Sequence, residues 1–149
     1  MLCVLGIVNK IFKGTFFLFH MKTKILLDTN FIIACIIHKI DILDGLRRLF
    51  YLYDTIIPKQ VMHELKELSQ DEGAKREDRE AAMVALEILR NKKVIFLDLN
   101  ESNTDKGIIN FAEANKNVVV ATLDRELKNS LEGKARILVV RDKKKMEIV

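Results

Sequence analysis

The chain has few of the residues and runs that mark several common classes of small protein. Among its 149 residues there are two cysteines, one proline and no tryptophan. Two cysteines are too few for a disulfide framework or a cysteine-based zinc site, so the composition argues against both. No apolar run reaches the roughly 18 residues that a membrane-spanning helix requires. We therefore expect an intracellular, cytoplasmic protein without a transmembrane segment.

The residues that are present suit one globular domain. The hydrophobic fraction is 49%, and a chain of this length buries roughly 68–70% of the surface that it exposes when unfolded. Cys35 stands in an apolar run and is expected to be a small buried side chain. The formal net charge is +4, from 25 basic and 21 acidic residues. This excess is compatible with a nucleic-acid ligand but does not identify one.

The first twenty residues differ from the rest. Residues 2–8 are apolar, but no basic segment precedes them and no small-residue cleavage site follows, so they do not resemble a signal peptide. Met21 directly precedes the first clear strand pattern. We divide the chain into an N-terminal extension, 1–20, and a domain, 21–149. The extension is interpreted either as an artefact of an upstream start codon or as a segment that binds a membrane surface or a partner.

Strand patterns alternate with helix patterns through the domain. Strands are predicted at 24–27, 55–57, 93–97, 118–121 and 136–140, with a last edge strand at 145–149. Helical or buried segments are predicted at 29–37, 41–53, from Pro58 to about 68, 79–91, 105–115 and 124–132, and 69–80 is predicted to be an exposed loop or a frayed helix start. Such alternation implies an α/β fold with right-handed crossovers and a mostly parallel sheet that has helices on both faces.

Four acidic residues stand where predicted strands end or predicted helices begin. Asp28 ends the first strand, and Asp124 follows the strand 118–121. Glu64 and Asp105 lie near the starts of two helices. Because ligands of such sheets bind beyond the carboxyl ends of the strands, these acids would crowd negative charge into one cleft. That crowding is costly unless a cation neutralises it, so the pattern predicts a divalent-metal site.

Each acid also has an ordinary structural explanation. Asp28, Asp105 and Asp124 stand where a helix N-cap is common, and Glu64 borders a buried stripe, where exposed acids are frequent. At 100° per residue, Asp105 heads the apolar face of its helix and is expected to point toward the core and away from bulk water. For each residue taken alone both explanations stay open. Their joint placement favours a shared site.

Four short motifs, in this order, resemble the PIN-domain ribonuclease family. They are Ile-Leu-Leu-Asp-Thr-Asn at 25–30, Ile-Pro-Lys-Gln-Val-Met-His-Glu-Leu at 57–65, Asn-Thr-Asp-Lys-Gly-Ile-Ile at 103–109 and Val-Val-Ala-Thr-Leu-Asp-Arg-Glu-Leu at 119–127. The resemblance implies a three-layer α/β/α PIN-like fold with about five strands in the order 3-2-1-4-5. It also implies a metal-dependent endonuclease that hydrolyses phosphodiester bonds of single-stranded RNA with Mg²⁺ or Mn²⁺.

The resemblance assigns roles to particular positions. The catalytic and metal-binding positions are Asp28, Glu64, Asp105 and Asp124, with Asn30 and Thr122 in support. Many relatives have two adjacent acids where this chain has Asp105-Lys106, which puts a second metal ion in question. Basic residues on the same helix starts as the acids are expected to bind RNA: Lys59, Arg125 and Lys128.

The biological role stays open at this point. One interpretation is a toxin of the VapC type, partnered by an antitoxin, and another is ribosomal-RNA maturation or RNA quality control with a ribosome-assembly partner. The resemblance also allows a homodimer. An alternative from a different class is a non-catalytic RNA- or protein-binding module on the same fold. Metal binding and RNA cleavage distinguish that module from a nuclease.

Overall fold

Strands and helices alternate along almost the whole of the described chain. The structure is a computed structural model that describes residues 22–90 and 92–149. The elements are β1 (Thr23–Leu27), α1 (Thr29–Ile37), α2 (Ile42–Leu49), β2 (Tyr53–Pro58), α3 (Lys59–Gln70), α4 (Arg76–Arg90), β3 (Ile95–Leu97), α5 (Thr104–Ala114), β4 (Val118–Ala121), α6 (Arg125–Ser130), β5 (Arg136–Arg141) and β6 (Lys145–Ile148). The N-terminal extension at 1–20 lies outside the described residues, so neither of its interpretations is tested.

The six strands form one sheet in the order β3-β2-β1-β4-β5-β6. All neighbours are parallel except β5 and β6, which pair antiparallel. The first five strands follow the predicted order 3-2-1-4-5, and β6 is the predicted edge strand. The central strand β1 is paired on both sides: Leu26 lies beside Ile56 of β2 and Val120 of β4. The order of neighbours therefore changes direction at β1, where open α/β sheets bind their ligands.

Successive residues of the strands point to opposite faces of the sheet, and both faces are covered. Ile25 and Leu27 belong to the core on the side of helices α1 to α4. Leu26 and Val120 belong to the core on the side of α5 and α6. Because the side-chain period of a strand is two, apolar residues at consecutive positions fill two cores at once. The three-layer α/β/α arrangement is thereby confirmed.

Cys35 lies in the first of these cores and is fully buried, as predicted. Burial raises the pKa of its thiol to about 12, so the thiol stays protonated and unreactive at neutral pH. Residues 22–90 and 92–149 contain no helix that is both long enough and apolar enough to cross a bilayer.

Two of the predicted helical segments have different bounds in the structure. Pro58 is the last residue of β2, paired with Leu97 of β3, and α3 begins at Lys59. The predicted segment 41–53 divides, because only Ile42–Leu49 is helical and Tyr53 opens β2. Apolar residues continue across that junction, so hydrophobicity alone does not reveal the change from helix to strand.

The polar stretch 69–80 is also more ordered than predicted. Helix α3 continues to Gln70, and α4 begins at Arg76, which leaves only a short connection. Arg76 Nε lies 2.7 Å from Glu80 Oε1, four residues along the helix, and acidic residues occupy the first turn of α4. Both features favour a helix in a sequence that has few apolar residues.

Candidate active site

Asp28 lies at the carboxyl end of the central strand and is almost completely buried. Its backbone N–H donates to the carbonyl oxygen of Ala121 at 2.9 Å, which continues the ladder between β1 and β4. Asp28 is only 5% exposed, and Thr122 beside it is fully buried. The hydroxyl of Thr122 donates a hydrogen bond to Asp28 Oδ2 at 2.7 Å. The chain therefore fixes a carboxylate at the strand end without placing a positive group against it.

Asp28 caps a helix and also lines a cavity with the other acids. It is the N-cap residue of α1, and Oδ1 accepts a hydrogen bond from the backbone N–H of Thr29 at 2.9 Å. Burial raises the pKa of Asp28 to about 6, and the nearby carboxylates of Asp105 and Glu64 contribute to the rise. The hydrogen bonds from Thr122 and Thr29 lower the pKa and offset part of that effect.

Glu64, on α3, accepts hydrogen bonds from two threonine hydroxyls. Thr29 donates to Oε2, and Thr104 donates to Oε1 at 2.5 Å. The two donors stand at the first positions of α1 and α5, so Glu64 links the starts of these two helices to the second turn of α3. Neither threonine is among the site residues predicted from the sequence, although Thr29 directly follows Asp28 and Thr104 directly precedes Asp105.

Asp105 lines the same cavity but stays exposed, contrary to the expectation that it points toward the core. It also does not cap α5, because Asn103 is the N-cap residue and its Oδ1 accepts from the backbone N–H of Lys106 at 2.9 Å. Partial burial raises the pKa of Asp105, and the charges of Asp124 and Glu64 raise it further. The nearby carboxylates are thus electrostatically coupled.

Asp124 lies at the start of α6 and caps that helix. Its Oδ1 accepts from the backbone N–H of Leu127 at 3.0 Å, while its own N–H donates to the Thr122 hydroxyl at 3.2 Å. Asn30 steadies the same loop, since its Oδ1 accepts from the N–H of Leu123 at 2.9 Å. Thr122 and Asn30 therefore hold in place the segments that carry the acids at the ends of β1 and β4.

The four predicted acids, Asp28, Glu64, Asp105 and Asp124, all line one open cavity of about 490 Å³, which we call the acidic cavity. A fifth acid, Asp78 of α4, also lines this cavity. His38, the residue after α1, lines it at the carboxyl end of that helix. No lysine or arginine is among the described residues that line this cavity. Asp78 was missed because it lies in the charged stretch 69–80, where nothing in the sequence separates it from the surrounding solvated charges. The cavity thus concentrates carboxylates without internal neutralisation.

The donor chemistry fits a hard divalent cation, but the carboxylates are spread along the wall. Mg²⁺ and Mn²⁺ prefer oxygen ligands, and carboxylates supply these. Among residues 22–90 and 92–149, no three Asp, Glu, His or Cys side chains already stand close enough to hold one ion between them. An ion here would therefore bind to one or two carboxylates and keep several waters, which is the usual mode for Mg²⁺.

A larger cavity of about 740 Å³ lies beside the start of β2, and its charges are internally matched. Asp44 in its wall pairs with Arg47 at 2.5 Å, and Asp54 pairs with Lys22 at 2.7 Å. Because two of its three carboxylates already have cationic partners, this cavity offers less to a metal ion than the smaller one. We therefore choose the smaller cavity as the candidate site, because its carboxylates have no lysine or arginine beside them in the described wall.

The three predicted RNA-binding residues lie outside the acidic cavity's wall. Lys59 and Arg125 are exposed at the starts of α3 and α6, and Lys128 is partly exposed on α6. Lys59 lies on α3 with Glu64, and Arg125 and Lys128 lie on α6, which Asp124 caps. None of the three lines the acidic cavity itself. Their role in binding RNA remains a prediction.

Comparison with known proteins gives the family. The family described as PIN-like domain matches residues 25–144, most of the chain and all four acids. This chain belongs to the PIN-like domain family. Ribonuclease VapC4 of Methanocaldococcus jannaschii is 36% identical to it over 127 residues, covering 84% of this chain and 95% of that relative.

A solved structure also matches the PIN-like domain described above. The structure of the PIN domain endonuclease Utp24 superposes with a TM-score of 0.69 at 28% sequence identity, covering 84% of this chain and 90% of that one. The family resemblance that the four motifs predict is thus confirmed, and so is the fold class. The PIN-like domain places its acidic cavity at the carboxyl ends of β1 and β4.

Proposed function

We propose that this protein is a divalent-metal-dependent endoribonuclease that hydrolyses phosphodiester bonds of single-stranded RNA, with Mg²⁺ or Mn²⁺ as cofactor. One observation is the main support. Five carboxylates line a single cavity whose described wall has no lysine or arginine, and the deepest of them, Asp28, is nine-tenths or more inaccessible. Uncompensated carboxylates are costly at such a site unless a cation joins them.

The relatives support the same class of reaction. VapC4 is a ribonuclease by name, and Utp24 is a PIN domain endonuclease by name. The matched regions cover 84% of this chain in both comparisons. Because the four acids lie in the region that matches the family, we extend nuclease chemistry to this chain.

Asp28 and Asp124 are the proposed holders of the ion. Asp28 is rigidly positioned by Thr122 and by the N–H of Thr29, and Asp124 uses only Oδ1 for its helix cap. When bound, the ion would supply a water of lowered pKa and would offset charge on the scissile phosphate. A cavity that fixes its carboxylates before the ion arrives costs little reorganisation on binding.

Glu64 and Asp105 have different proposed tasks. The two threonine hydroxyls hold Glu64 in place, so it supplies a fixed negative charge at the cavity wall. Asp105 is exposed and has a raised pKa, which suits a group that takes up a proton from an attacking water. If a second ion binds, it would lie nearer these two residues.

The direct experiment is cleavage of a labelled single-stranded RNA by the purified protein. We expect cleavage with Mn²⁺ or Mg²⁺, and none with a chelator. Asp28→Asn should abolish cleavage while leaving the fold intact. Glu132→Gln is the matched control, because it also removes one negative charge but lies at an exposed position beyond α6. Equal cleavage by the Asp28→Asn protein would contradict the proposal.

A non-catalytic RNA- or protein-binding module is the competing function. Such a module has no need for a divalent ion, so calorimetric titration with Mn²⁺ separates the two. Saturable binding that Asp28→Asn removes supports the nuclease. RNA binding without any Mn²⁺ binding would favour the module.

Within the nuclease proposal, two cellular roles remain in competition. A toxin of the VapC type would arrest growth on expression and would be neutralised by an antitoxin from a neighbouring gene. A nuclease of RNA maturation would not arrest growth, and its loss would leave an unprocessed precursor RNA. Expression of the wild-type and Asp28→Asn proteins side by side tells the two roles apart.

A further inference from the structure

A third cavity, of about 300 Å³, lies between the end of α1, helix α2 and the β5–β6 hairpin. Four cations and two carboxylates line it: Lys39, Arg48, Lys144, Lys145, Asp41 and Asp44. This excess of positive charge contrasts with the acidic cavity, whose described wall contains no lysine or arginine. We call the cavity of about 300 Å³ the basic cavity.

Most of the basic cavity's positive charge is unpaired. Asp44 is already bound by two arginines, with Arg47 Nη2 at 2.5 Å and Arg48 Nε at 2.9 Å. Within residues 22–90 and 92–149, no ion pair engages Lys39, Lys144 or Lys145. Three ammonium groups from two separate segments thus share one concave surface with little internal compensation. That arrangement attracts a polyanion.

The backbone that presents these lysines is well defined. Asp142 and Lys143 both have positive φ, at 53° and 56°, and Lys144 N–H donates to Arg141 O at 3.1 Å, as in a type I′ hairpin turn. The hairpin packs on α2 through Met146, whose terminal methyl lies where a side chain on Gly45 would otherwise be. The cations are therefore held on a turn that is fixed against a helix.

Helix α1 connects the two cavities. One face of α1, from Thr29 to His38, lines the acidic cavity, and the next residue, Lys39, lines the basic one. Helix α1 has nine residues, which corresponds to about 14 Å along its axis. Ile33 and Ile37 lie between the ends and form an apolar stretch of the wall. Once a divalent ion neutralises the acidic end, a flexible chain with repeated negative charges fits this arrangement of a metal-binding end, an apolar middle and a basic end.

We propose that single-stranded RNA lies along α1, with one backbone phosphate at the acidic cavity and another, a few nucleotides away, bound by Lys39 and Lys144 in the basic cavity. The inference rests on the proposed function, since it assigns the path of that enzyme's substrate. Contacts of lysine with phosphate are independent of base identity, so the basic cavity adds affinity and register without reading sequence.

Salt dependence of RNA binding provides the test. All proteins contain Asp28→Asn, so that the RNA stays intact during the measurement. The test variant is Lys39→Gln with Lys144→Gln, and the matched control is Lys66→Gln with Lys116→Gln, which removes two exposed lysines from outside both cavities. We expect the slope of log affinity against log salt to fall in magnitude by about 1.4 in the test variant, because each lost contact to a single strand removes about 0.7.

Steady-state cleavage by proteins with Asp28 intact gives a second readout. The test variant should raise KM for a long RNA by roughly three- to tenfold with kcat unchanged. It should not change KM for an oligonucleotide too short to extend from the acids to Lys39. The control variant should match wild type on both substrates.

The outcomes separate this inference from the proposed function. If the enzyme cleaves RNA but the test and control variants bind with the same salt slope, the path along α1 is wrong and the nuclease stands. If no RNA is cleaved but the slope falls as expected, the nuclease is wrong and the basic cavity still binds RNA. If the test variant loses binding of an acidic peptide and not of RNA, the cavity serves a protein partner and the inference is overturned.

Discussion

Thr122 donates its hydroxyl hydrogen to Oδ2 of Asp28 at 2.7 Å, which joins two residues 94 positions apart at the ends of β4 and β1. The donor is neutral, so it orients the carboxylate without removing its charge. Burial then works against ionisation, and it raises the pKa of Asp28 to about 6. The site is thus arranged to hold a carboxylate whose negative charge is best stabilised by an added cation.

The first prediction concerns stability without metal. The folded pKa of Asp28 lies near 6 and its ordinary value is 3.8, so the folded state binds the proton more tightly than the unfolded state. Stability supplied by this proton is complete below pH 3.8 and is lost as pH rises to about 6. At pH 7 in the presence of a chelator, the free energy of unfolding of Asp28→Asn, measured by urea denaturation, should therefore exceed that of wild type by up to about 3 kcal/mol. The gap should shrink toward pH 4, whereas a gap that does not change with pH would contradict the account.

The second prediction concerns the pH dependence of metal binding. Because an ion displaces the proton of Asp28, whose pKa is about 6, the apparent affinity for Mn²⁺ should rise about fivefold from pH 5 to pH 6, about twofold more by pH 7, and then level off. Calorimetry at several pH values, in buffers of different ionisation enthalpy, measures both the affinity and the proton released. Binding without proton release at pH 5 would mean that Asp28 is not a ligand.

The third prediction concerns the hydroxyl that holds Glu64. Thr104→Val keeps the shape of the side chain but removes the hydrogen bond to Glu64 Oε1. We expect kcat/KM for RNA cleavage to fall roughly 10- to 100-fold, as for other residues that orient a ligand. Thr104→Ser restores the hydroxyl and should restore most of the activity. Loss of activity in the serine variant as well would point to packing of the methyl group instead.

The fourth prediction separates the capping role of Asp124 from its proposed catalytic role. Asparagine caps helices about as well as aspartate, so Asp124→Asn should change the free energy of unfolding little. Asp124→Ala removes the cap and should cost about 1 kcal/mol. Both variants should lose RNA cleavage. Full activity in the asparagine variant would show that Asp124 matters only as a cap.

Much of the fold could be predicted from the sequence because strand order and strand ends depend on patterns that are strong here. The run 118–121 is apolar throughout and is a strand with the predicted bounds. Asp28 directly follows β1 and Asp124 comes shortly after β4, so their positions follow from the ends of these two strands. Helix starts with many charges were harder, since α4 is stabilised by pairs such as Arg76 with Glu80 and not by an early apolar stripe.

The finer parts of the site depend on contacts between distant segments. Nothing in the motif around Glu64 indicates that Thr29 and Thr104, from two other helices, donate to its two oxygens. Asp78 lies among other charged residues of α4, and only the packing of that helix brings it to the cavity. The basic cavity likewise needs the hairpin to pack on α2, a contact that the lysine run at 143–145 does not reveal.

If carboxylates from separate parts of the chain share a divalent ion, a crystal soaked in Mn²⁺ should show where that ion binds. We expect an anomalous-scattering peak in the acidic cavity, within ligand distance of Asp28 and Asp124, which is absent from crystals of Asp28→Asn. Full occupancy of Mn²⁺ at some other position, with the cavity lined by Asp28, Glu64, Asp105 and Asp124 containing only water, would contradict it.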